Sequence, residues 1–213
     1  EINGYLNSDD CLSTLRALKK LGARIEKINS TKIIVNGVGL DGLTSPEMDL
    51  DLGNSGTSMR LLAGLLSGQS FDTTLVGDNS LSLRPMKRII YPLSLMGANI
   101  QSDRGFPPLT IKAVRHLEAI NYEIPIASAQ VKSAILFSAL YTKGHSVIKE
   151  NNITRDHTEK MFSLMDISMM KKDGSITIKG KQTPKASSID IPADLSSASF
   201  FIVAALISKN SEL

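Results

Sequence analysis

The chain has 213 residues, 42% of them hydrophobic, with a formal net charge of +3, which is typical of a globular protein of one large or two smaller domains. No run approaches the roughly 18 uninterrupted apolar residues of a membrane helix, and the absence of Trp and of any Lys/Arg block argues against a nucleic-acid surface. A single cysteine, Cys11, excludes an intrachain disulfide and favours a reducing, cytoplasmic location.

The first predicted elements are an amphipathic helix, capped near residues 7–9 and closed at Gly22, and a β-rich segment that ends at Gly37. The alternating run 48–52 then predicts a strand, and an apolar helix follows from Met59 to a stop at Gly68. Between them lies the turn Gly53-Asn54-Ser55-Gly56. Such a turn points backbone N–H groups and the positive helix end at a bound anion. The alternative is a tight turn in which Asn or Ser caps the helix.

The sequence repeats itself further along the chain. Each copy has an amphipathic helix closed by a similar short segment and followed by a β-rich stretch; the closing segments are 20–25, 95–100 and, degraded, 164–169. Small-residue turns before apolar helices recur at 124–130 and 191–197. One unit therefore reads βαβαββ over about 70 residues.

The repeat predicts where the units lie. Unit two spans about 48–113 and unit three about 122–180. Unit one lacks its first strand and helix, and a fourth unit begins at about Ile189 and stops after one helix. We expect the chain to be part of a longer protein, with a natural edge cap as the alternative.

The helices of each unit differ in character. The first helix of unit three, around 131–140, and the helix around 200–207 are apolar all round and are predicted to be buried. The second helix of unit two is one-sided, with Ile89, Leu93 and Met96 on one stripe and Lys87 off it. The fold class predicted is α/β, an inside-out α/β barrel with helices in the middle, sheets outside and several helix starts gathered at one end.

Polar residues stand at these helix starts: Asn54, Ser55, Gly56, Arg60 and Arg84 in unit two, and Ser128, Gln130, Lys132, Thr154, Arg155, Asp156 and His157 in unit three. Arginine at a helix start opposes the dipole at a cost of about 0.3–1 kcal/mol. A bound phosphate or carboxylate would reverse that cost; a surface ion pair is the alternative for Arg84 and Arg155.

Three smaller predictions concern the same end. Pro85 is placed in the first turn of the second helix, and Asp156 with Glu159 has capping-box spacing. We read His157 as a helix-start residue and not as a catalytic base. No His, Cys or carboxylate cluster in the sequence has metal-ligand spacing.

Five motifs in order resemble those of the 5-enolpyruvylshikimate-3-phosphate (EPSP) synthase family: 53–60, 77–86, 128–134, 154–159 and 194–198. The resemblance spans essentially the whole chain. It implies two inside-out domains of three βαβαββ units each. It also implies transfer of the enolpyruvyl group of phosphoenolpyruvate to the 5-hydroxyl of shikimate 3-phosphate, in the shikimate pathway and with glyphosate as inhibitor. No metal or organic cofactor is implied.

The resemblance also assigns residues. Those implied to face phosphoenolpyruvate are Asn54, Gly56, Arg84 and Gln130. Those implied to hold shikimate 3-phosphate are Ser128, Ala129, Gln130, Thr154 and Arg155. Supporting positions near the site are Arg60, Gln130 and Asp194, and no residue of this chain is assigned the chemical step.

Two departures from the family limit these expectations. The family's lysine-containing first motif would precede Glu1, and nearly all of the second domain, with its proton-transfer groups, would follow Leu213. By resemblance, residues 1–187 are the N-terminal domain and 188–213 are the crossover and first helix of the C-terminal domain. The implied partners are the two substrates and that second domain, in an enzyme that is monomeric when full length. This half is expected to bind and not to react.

Two rival interpretations remain. The UDP-N-acetylglucosamine enolpyruvyl transferase family shares the fold and donor but carries a reactive cysteine shortly before its Arg-Pro motif, and the corresponding loop 78–83 has none. A noncatalytic anion-binding module built from the same repeat is the second rival. The length of the encoding gene would separate it from an enzyme.

Overall fold

The structure is a computed structural model that describes residues 1–212, without the side chains of Ser196 and Ser197. In chain order its elements are β1 (Ile2–Asn3), α1 (Asp9–Lys20), β2 (Arg24–Lys27), β3 (Lys32–Asn36), β4 (Leu50–Asp51), α2 (Gly56–Leu66), β5 (Thr73–Val76), α3 (Asn79–Ser82), α4 (Lys87–Leu95), β6 (Asn99–Asp103), β7 (Phe106–Lys112), β8 (Asn121–Ile124), α5 (Ala129–Ala139), β9 (His145–Glu150), α6 (His157–Leu164), β10 (Met169–Lys172), β11 (Ser175–Lys179), β12 (Ile189–Asp190) and α7 (Leu195–Ile207).

The strands form three four-stranded sheets with one topology. The second sheet has the order β4-β5-β7-β6 and the third β8-β9-β11-β10. In each, the first two strands are parallel and the remaining pairs are antiparallel. Parallel strands need a crossover connection, which α2 and α5 supply. The predicted βαβαββ units two and three are therefore confirmed.

The first sheet corrects the prediction of a fourth unit. Its order is β12-β1-β3-β2, and β12 runs parallel to β1 with Ile2 opposite Ile189. Strand β12 thus takes the first position of unit one, where β4 and β8 stand in the other two sheets. The sequence pattern does not show this position, because strand pairing joins segments that are far apart in the chain.

Helices α2 and α5 lie in the middle of the fold. The predicted burial of α5 and its C-cap is confirmed at Val131, Ala134, Ile135, Leu136, Ala139 and Leu140, whereas Phe137 is half-buried. The helices approach closely at Gly64, where a Cβ would come within 2.3 Å of the Ala134 carbonyl oxygen. Ser138 Oγ donates to the Gly64 carbonyl oxygen at 2.7 Å. The one-sided burial of α4, with Ile89, Leu93 and Met96 inside and Lys87 outside, is also confirmed.

Helix α7 differs from its prediction. It is apolar as predicted, but Phe200 is 82% exposed, Leu206 79% and Ile207 80%. A helix that is apolar all round becomes buried only where another element covers it, and the described residues leave these side chains uncovered. No helix in the described part of the chain is long and apolar enough to cross a membrane.

Candidate anion-binding site

The turn at Gly53–Gly56 begins α2 as the sequence indicates. Gly53 has a positive φ of 56°, and Ser55 is the N-cap, its Oγ accepting from the Ser58 N–H at 3.2 Å. The cap interpretation is therefore right for Ser55. It is also compatible with an anion site, because the capping hydroxyl satisfies only one of the four free N–H groups that begin a helix.

Asn54 does not cap the helix but links two charged residues. Its Nδ2 donates to both carboxylate oxygens of Asp78, at 2.7 and 3.0 Å, and its Oδ1 accepts from Arg84 Nη2. Asp78 in turn caps α3, accepting from the Leu81 N–H at 2.7 Å. These hydrogen bonds, first from Asn54 and then from the Leu81 N–H, hold the pKa of Asp78 below its ordinary value, and the charge of Arg84 adds to the effect. The result is a fixed chain from Asp78 through Asn54 to Arg84.

A second chain joins the two central helices at their starts. Arg60 Nη1 donates to Gln130 Oε1 at 3.0 Å and to the Gly56 carbonyl oxygen at 3.1 Å. Gln130 Nε2 donates to Thr57 Oγ1 at 2.9 Å. Because Gln130 belongs to α5 and the other three to α2, the helix starts of units two and three meet here, as the repeat predicts.

Two arginines converge over the buried Gly56. A Cβ built there would lie 2.7 Å from Arg60 Nη1 and 3.1 Å from Arg84 Nη1. Burial lowers the pKa of Arg60, and the positive charges of Arg84 and Arg88 lower it further. Among the described residues neither Arg60 nor Arg84 forms an ion pair with a carboxylate. The start of α2 is thus a positively charged site that a phosphate or carboxylate would stabilise.

The remaining predicted residues lie on three segments. Ser128 caps α5 by accepting from the Val131 N–H at 3.4 Å, and Ala129 is the first residue of that helix. Thr154 and the exposed Arg155 lie just before α6, and Arg155 forms no ion pair within the described part of the chain. Asp194 is exposed at the start of α7, where its carbonyl oxygen accepts from the Ala198 N–H at 3.0 Å.

Two predictions about helix starts are wrong. Asp156 makes no side-chain cap and instead binds Lys160 at 3.0 Å, while Glu159 accepts from Lys132 Nζ at 2.8 Å. Lys132 is accordingly buried and paired. Pro85 stands before the N-cap of α4, Met86, and not in its first turn. Capping-box spacing failed because both carboxylates found a lysine, which is the stronger partner for a carboxylate.

Two residues of the site were in quoted motifs without a role assigned to them. Asp78 follows the strand β5 in the motif 77–86, and Thr57 lies in 53–60. The presence of a carboxylate in the same motif as Arg84 is a sequence signal that could have identified Asp78. Thr57 has no such signal, and its place in the site follows only from the packing of α2 against α5. No group of three or more His, Cys, Asp or Glu side chains among the described residues could hold a metal ion.

With this geometry in place, comparisons with known proteins decide the family. The family model "EPSP synthase (3-phosphoshikimate 1-carboxyvinyltransferase)" matches residues 1–213. The chain belongs to the EPSP synthase family. A 3-phosphoshikimate 1-carboxyvinyltransferase from Alkalilimnicola ehrlichii is 49% identical over 213 residues, covering 100% of this chain and 48% of the relative. One from Legionella pneumophila is 46% identical, covering 100% of this chain and 49% of the relative.

The solved structures of the family agree with the fold described above. The structure of EPSP synthase from Acinetobacter baumannii superimposes with a TM-score of 0.90 at 44% identity, covering 97% of this chain and 47% of that one. The inside-out α/β architecture is therefore confirmed. The chain spans about half the length of the relatives it matches.

Proposed function

We propose that this chain is the substrate-binding half of an enolpyruvyl transferase. The reaction transfers the enolpyruvyl group of phosphoenolpyruvate to the 5-hydroxyl of shikimate 3-phosphate and releases phosphate. The observation that carries the proposal is the convergence of Arg60 and Arg84 over Gly56 at a helix start, where neither arginine forms an ion pair with a carboxylate among the described residues. The names of the relatives favour this acceptor over a UDP-sugar.

Phosphoenolpyruvate is assigned to the α2 end of the site, facing Asn54, Gly56, Arg84 and Gln130. Arg84 donates one N–H to Asn54. Because a guanidinium group has five N–H donors, enough remain for bidentate binding of a phosphate or carboxylate. The amides of Asn54 and Gln130 already engage an arginine each. Their first contribution is therefore to fix the two guanidinium groups before the anion arrives, which reduces the ordering cost of binding.

Shikimate 3-phosphate is assigned to the α5 end, to Ser128, Ala129, Gln130, Thr154 and Arg155. The start of α5 offers backbone N–H groups and the positive end of the helix dipole. The exposed Arg155 guanidinium supplies a charge that can pair with the phosphate. Gln130 lies between both substrates, since it joins α5 to Arg60. The supporting roles of Arg60 and Asp194 belong to the same proposal.

The chemical step is assigned to the half of the enzyme outside this chain. Two phosphates and two carboxylates must be held together, and closing a second domain over them would exclude water and protect the enol phosphate from hydrolysis. The exposed apolar side of α7 supports a covering second domain. Because β12 completes the first sheet, the proposed boundary lies after Asp190 and not near residue 187. Within this proposal the whole protein is a cytoplasmic monomer that uses no cofactor.

The test is a calorimetric titration of the purified 213-residue chain with shikimate 3-phosphate, beside a phosphate-release assay with both substrates. We expect weak binding, no turnover, and loss of binding in Arg155→Gln. A matched control is Arg104→Gln, an exposed arginine at the β6–β7 turn, which should bind as the unchanged chain does. Absence of binding, or equal loss in both variants, would overturn the substrate assignment; sustained turnover would overturn the half-site assignment.

A further inference from the structure

A buried ion cluster joins the two segments assigned to shikimate 3-phosphate. Lys132 Nζ lies 2.8 Å from Glu150 Oε2 and 2.8 Å from Glu159 Oε1. The three side chains are 1%, 6% and 2% exposed, respectively. Lys132 belongs to α5, Glu150 ends β9 and Glu159 belongs to α6, so the cluster ties three elements of unit three at one point.

Lys132 stays charged in this setting. Burial by itself would lower the pKa of the ammonium group, but the hydrogen bonds to Glu150 and Glu159, together with the negative charges of these two residues, outweigh burial and raise it. Breaking such a pair by removing one partner leaves an uncompensated buried charge, which is strongly unfavourable. Glu159 Oε2 is already buried without a partner among the described residues. The cluster therefore fixes α6 relative to α5 through Lys132.

The loop before α6 is hydrogen-bonded to the same cluster. Thr154 Oγ1 donates to Glu150 Oε1, the carboxylate oxygen that Lys132 does not contact. A threonine hydroxyl has one proton. Because a carboxylate can only accept, that proton is committed to Glu150 and is not available to a phosphate oxygen. Thr154 consequently has little to offer an anion directly, whereas Arg155 beside it is exposed.

We propose that Lys132, Glu150 and Thr154 form a positioning relay that holds Arg155 at the distance from the α5 start which shikimate 3-phosphate requires. This deepens the proposed function and rests on it for the identity of the ligand. Thr154 is then a positioning residue that acts through Glu150, and Arg155 is the group that binds the phosphate. Substrate contact by the Thr154 hydroxyl, as the family resemblance implies, is the competing view.

The first measurement concerns loop order and needs no ligand. In amide hydrogen exchange of the 213-residue chain, Thr154→Val should speed exchange across 151–156 by about tenfold, as expected for one charge-assisted hydrogen bond. Glu150→Gln should speed it by at least as much, because it also removes a carboxylate partner of the buried Lys132. Thr154→Ser should restore slow exchange. The matched control is Thr142→Val at the far end of α5, a buried threonine whose hydroxyl donates to the Ala139 carbonyl oxygen at 2.9 Å. Unchanged exchange in Thr154→Val would overturn the relay, whether or not the chain binds shikimate 3-phosphate.

The second measurement is a double-mutant cycle on the affinity for shikimate 3-phosphate. If Thr154 acts through Glu150, Thr154→Val should lose about tenfold affinity in the otherwise unchanged chain. In the Glu150→Gln background the same substitution should cost little more, so that the double variant matches Glu150→Gln alone. Additive losses, about a hundredfold in the double variant, would show direct substrate contact and overturn the relay. If the unchanged chain binds no shikimate 3-phosphate, the proposed function fails while the exchange data still decide the relay.

Discussion

Replacing Gly64 by alanine should push the two central helices apart. The new Cβ would lie 2.3 Å from the Ala134 carbonyl oxygen and 2.8 Å from two further backbone atoms of that residue, where ordinary contact begins at 3.4 Å. The α5 backbone must therefore retreat by the difference, 3.4 minus 2.3, or about 1.1 Å. Backbone cannot rotate out of the way as a flexible side chain could, so the clash is resolved only by moving a helix.

The cost follows from three contributions. Overpacking of a close-packed core costs about 1–3 kcal/mol, and loss of the hydrogen bond from Ser138 Oγ to the Gly64 carbonyl oxygen costs about 1 kcal/mol more. The gain in helix propensity from Gly to Ala returns about 1 kcal/mol. We expect Gly64→Ala to lower the free energy of unfolding by roughly 1–3 kcal/mol, and to weaken phosphoenolpyruvate binding because the Arg60–Gln130 contact spans the same two helices.

Urea denaturation followed by circular dichroism measures the change, with an unchanged m-value as the sign of an intact two-state transition. The matched control is Gly37→Ala, where a Cβ would meet nothing within 4 Å and the backbone is not left-handed. That control should lie within about 0.5 kcal/mol of the unchanged chain or be slightly more stable. If Gly64→Ala matches Gly37→Ala, the close approach of α2 and α5 is wrong.

Three further predictions concern the anion site and the pH dependence of stability. Gly56→Ala places a methyl group between the two guanidinium groups, so in the full-length enzyme the affinities for phosphoenolpyruvate and glyphosate should fall by about tenfold or more. Asn54→Ala removes the group between Arg84 and Asp78. Direct pairing of those two should then draw Arg84 away and weaken the binding of phosphoenolpyruvate by about tenfold, measured as KM of the full-length enzyme, with stability unchanged. Burial raises the pKa of Tyr141 to about 12, above the ordinary value of 10.0. The buried neutral phenol therefore contributes fully to stability below pH 10, and the free energy of unfolding should fall by roughly 2–3 kcal/mol between pH 10 and 12.

Each of these has a control and a contrary outcome. For Gly56→Ala, unchanged affinity for both anions would contradict the placement of phosphoenolpyruvate over α2. For Asn54→Ala, Asn99→Ala serves as control, since Asn99 is an exposed residue at the start of β6, away from the proposed site. For Tyr141, comparison of urea curves at pH 10 and 12 with Tyr141→Phe isolates the phenol; an equal pH dependence in both proteins would refute the argument.

Much of the fold could be predicted from the chain because its signals are local. The recurrence of similar helix-closing segments, with Gly97 in unit two and Asp166 at the same place in unit three, identified the two units together with the β-rich segments that follow. The all-apolar α5 and the one-sided α4 indicated which helix lies inside. The place of β12 could not be predicted. Its two residues are too few to show a sequence pattern that predicts the neighbouring strand. Pairing with β1 depends on how the intervening chain folds and brings its two ends together.

The same division holds for α7 and for the helix caps. Apolarity is a property of the sequence, but burial requires a neighbour, and α7 has its large side chains exposed in the described structure. Capping-box spacing at Asp156 and Glu159 was overridden by Lys160 and by Lys132. Because Lys132 belongs to α5, the local sequence of α6 could not predict its ion pair with Glu159.

By itself the sequence determined the repeated unit, the helix starts and the basic and polar residues placed at them, since these depend on neighbours in the chain. Only the tertiary structure decided which of those residues meet. It brought Arg60 and Arg84 together over Gly56, turned Asn54 and Gln130 toward the arginines, and buried Lys132 between two carboxylates. The physical reason is that charge and hydrogen bonding act over a few ångströms of space, and the packing of α2 against α5 sets those distances.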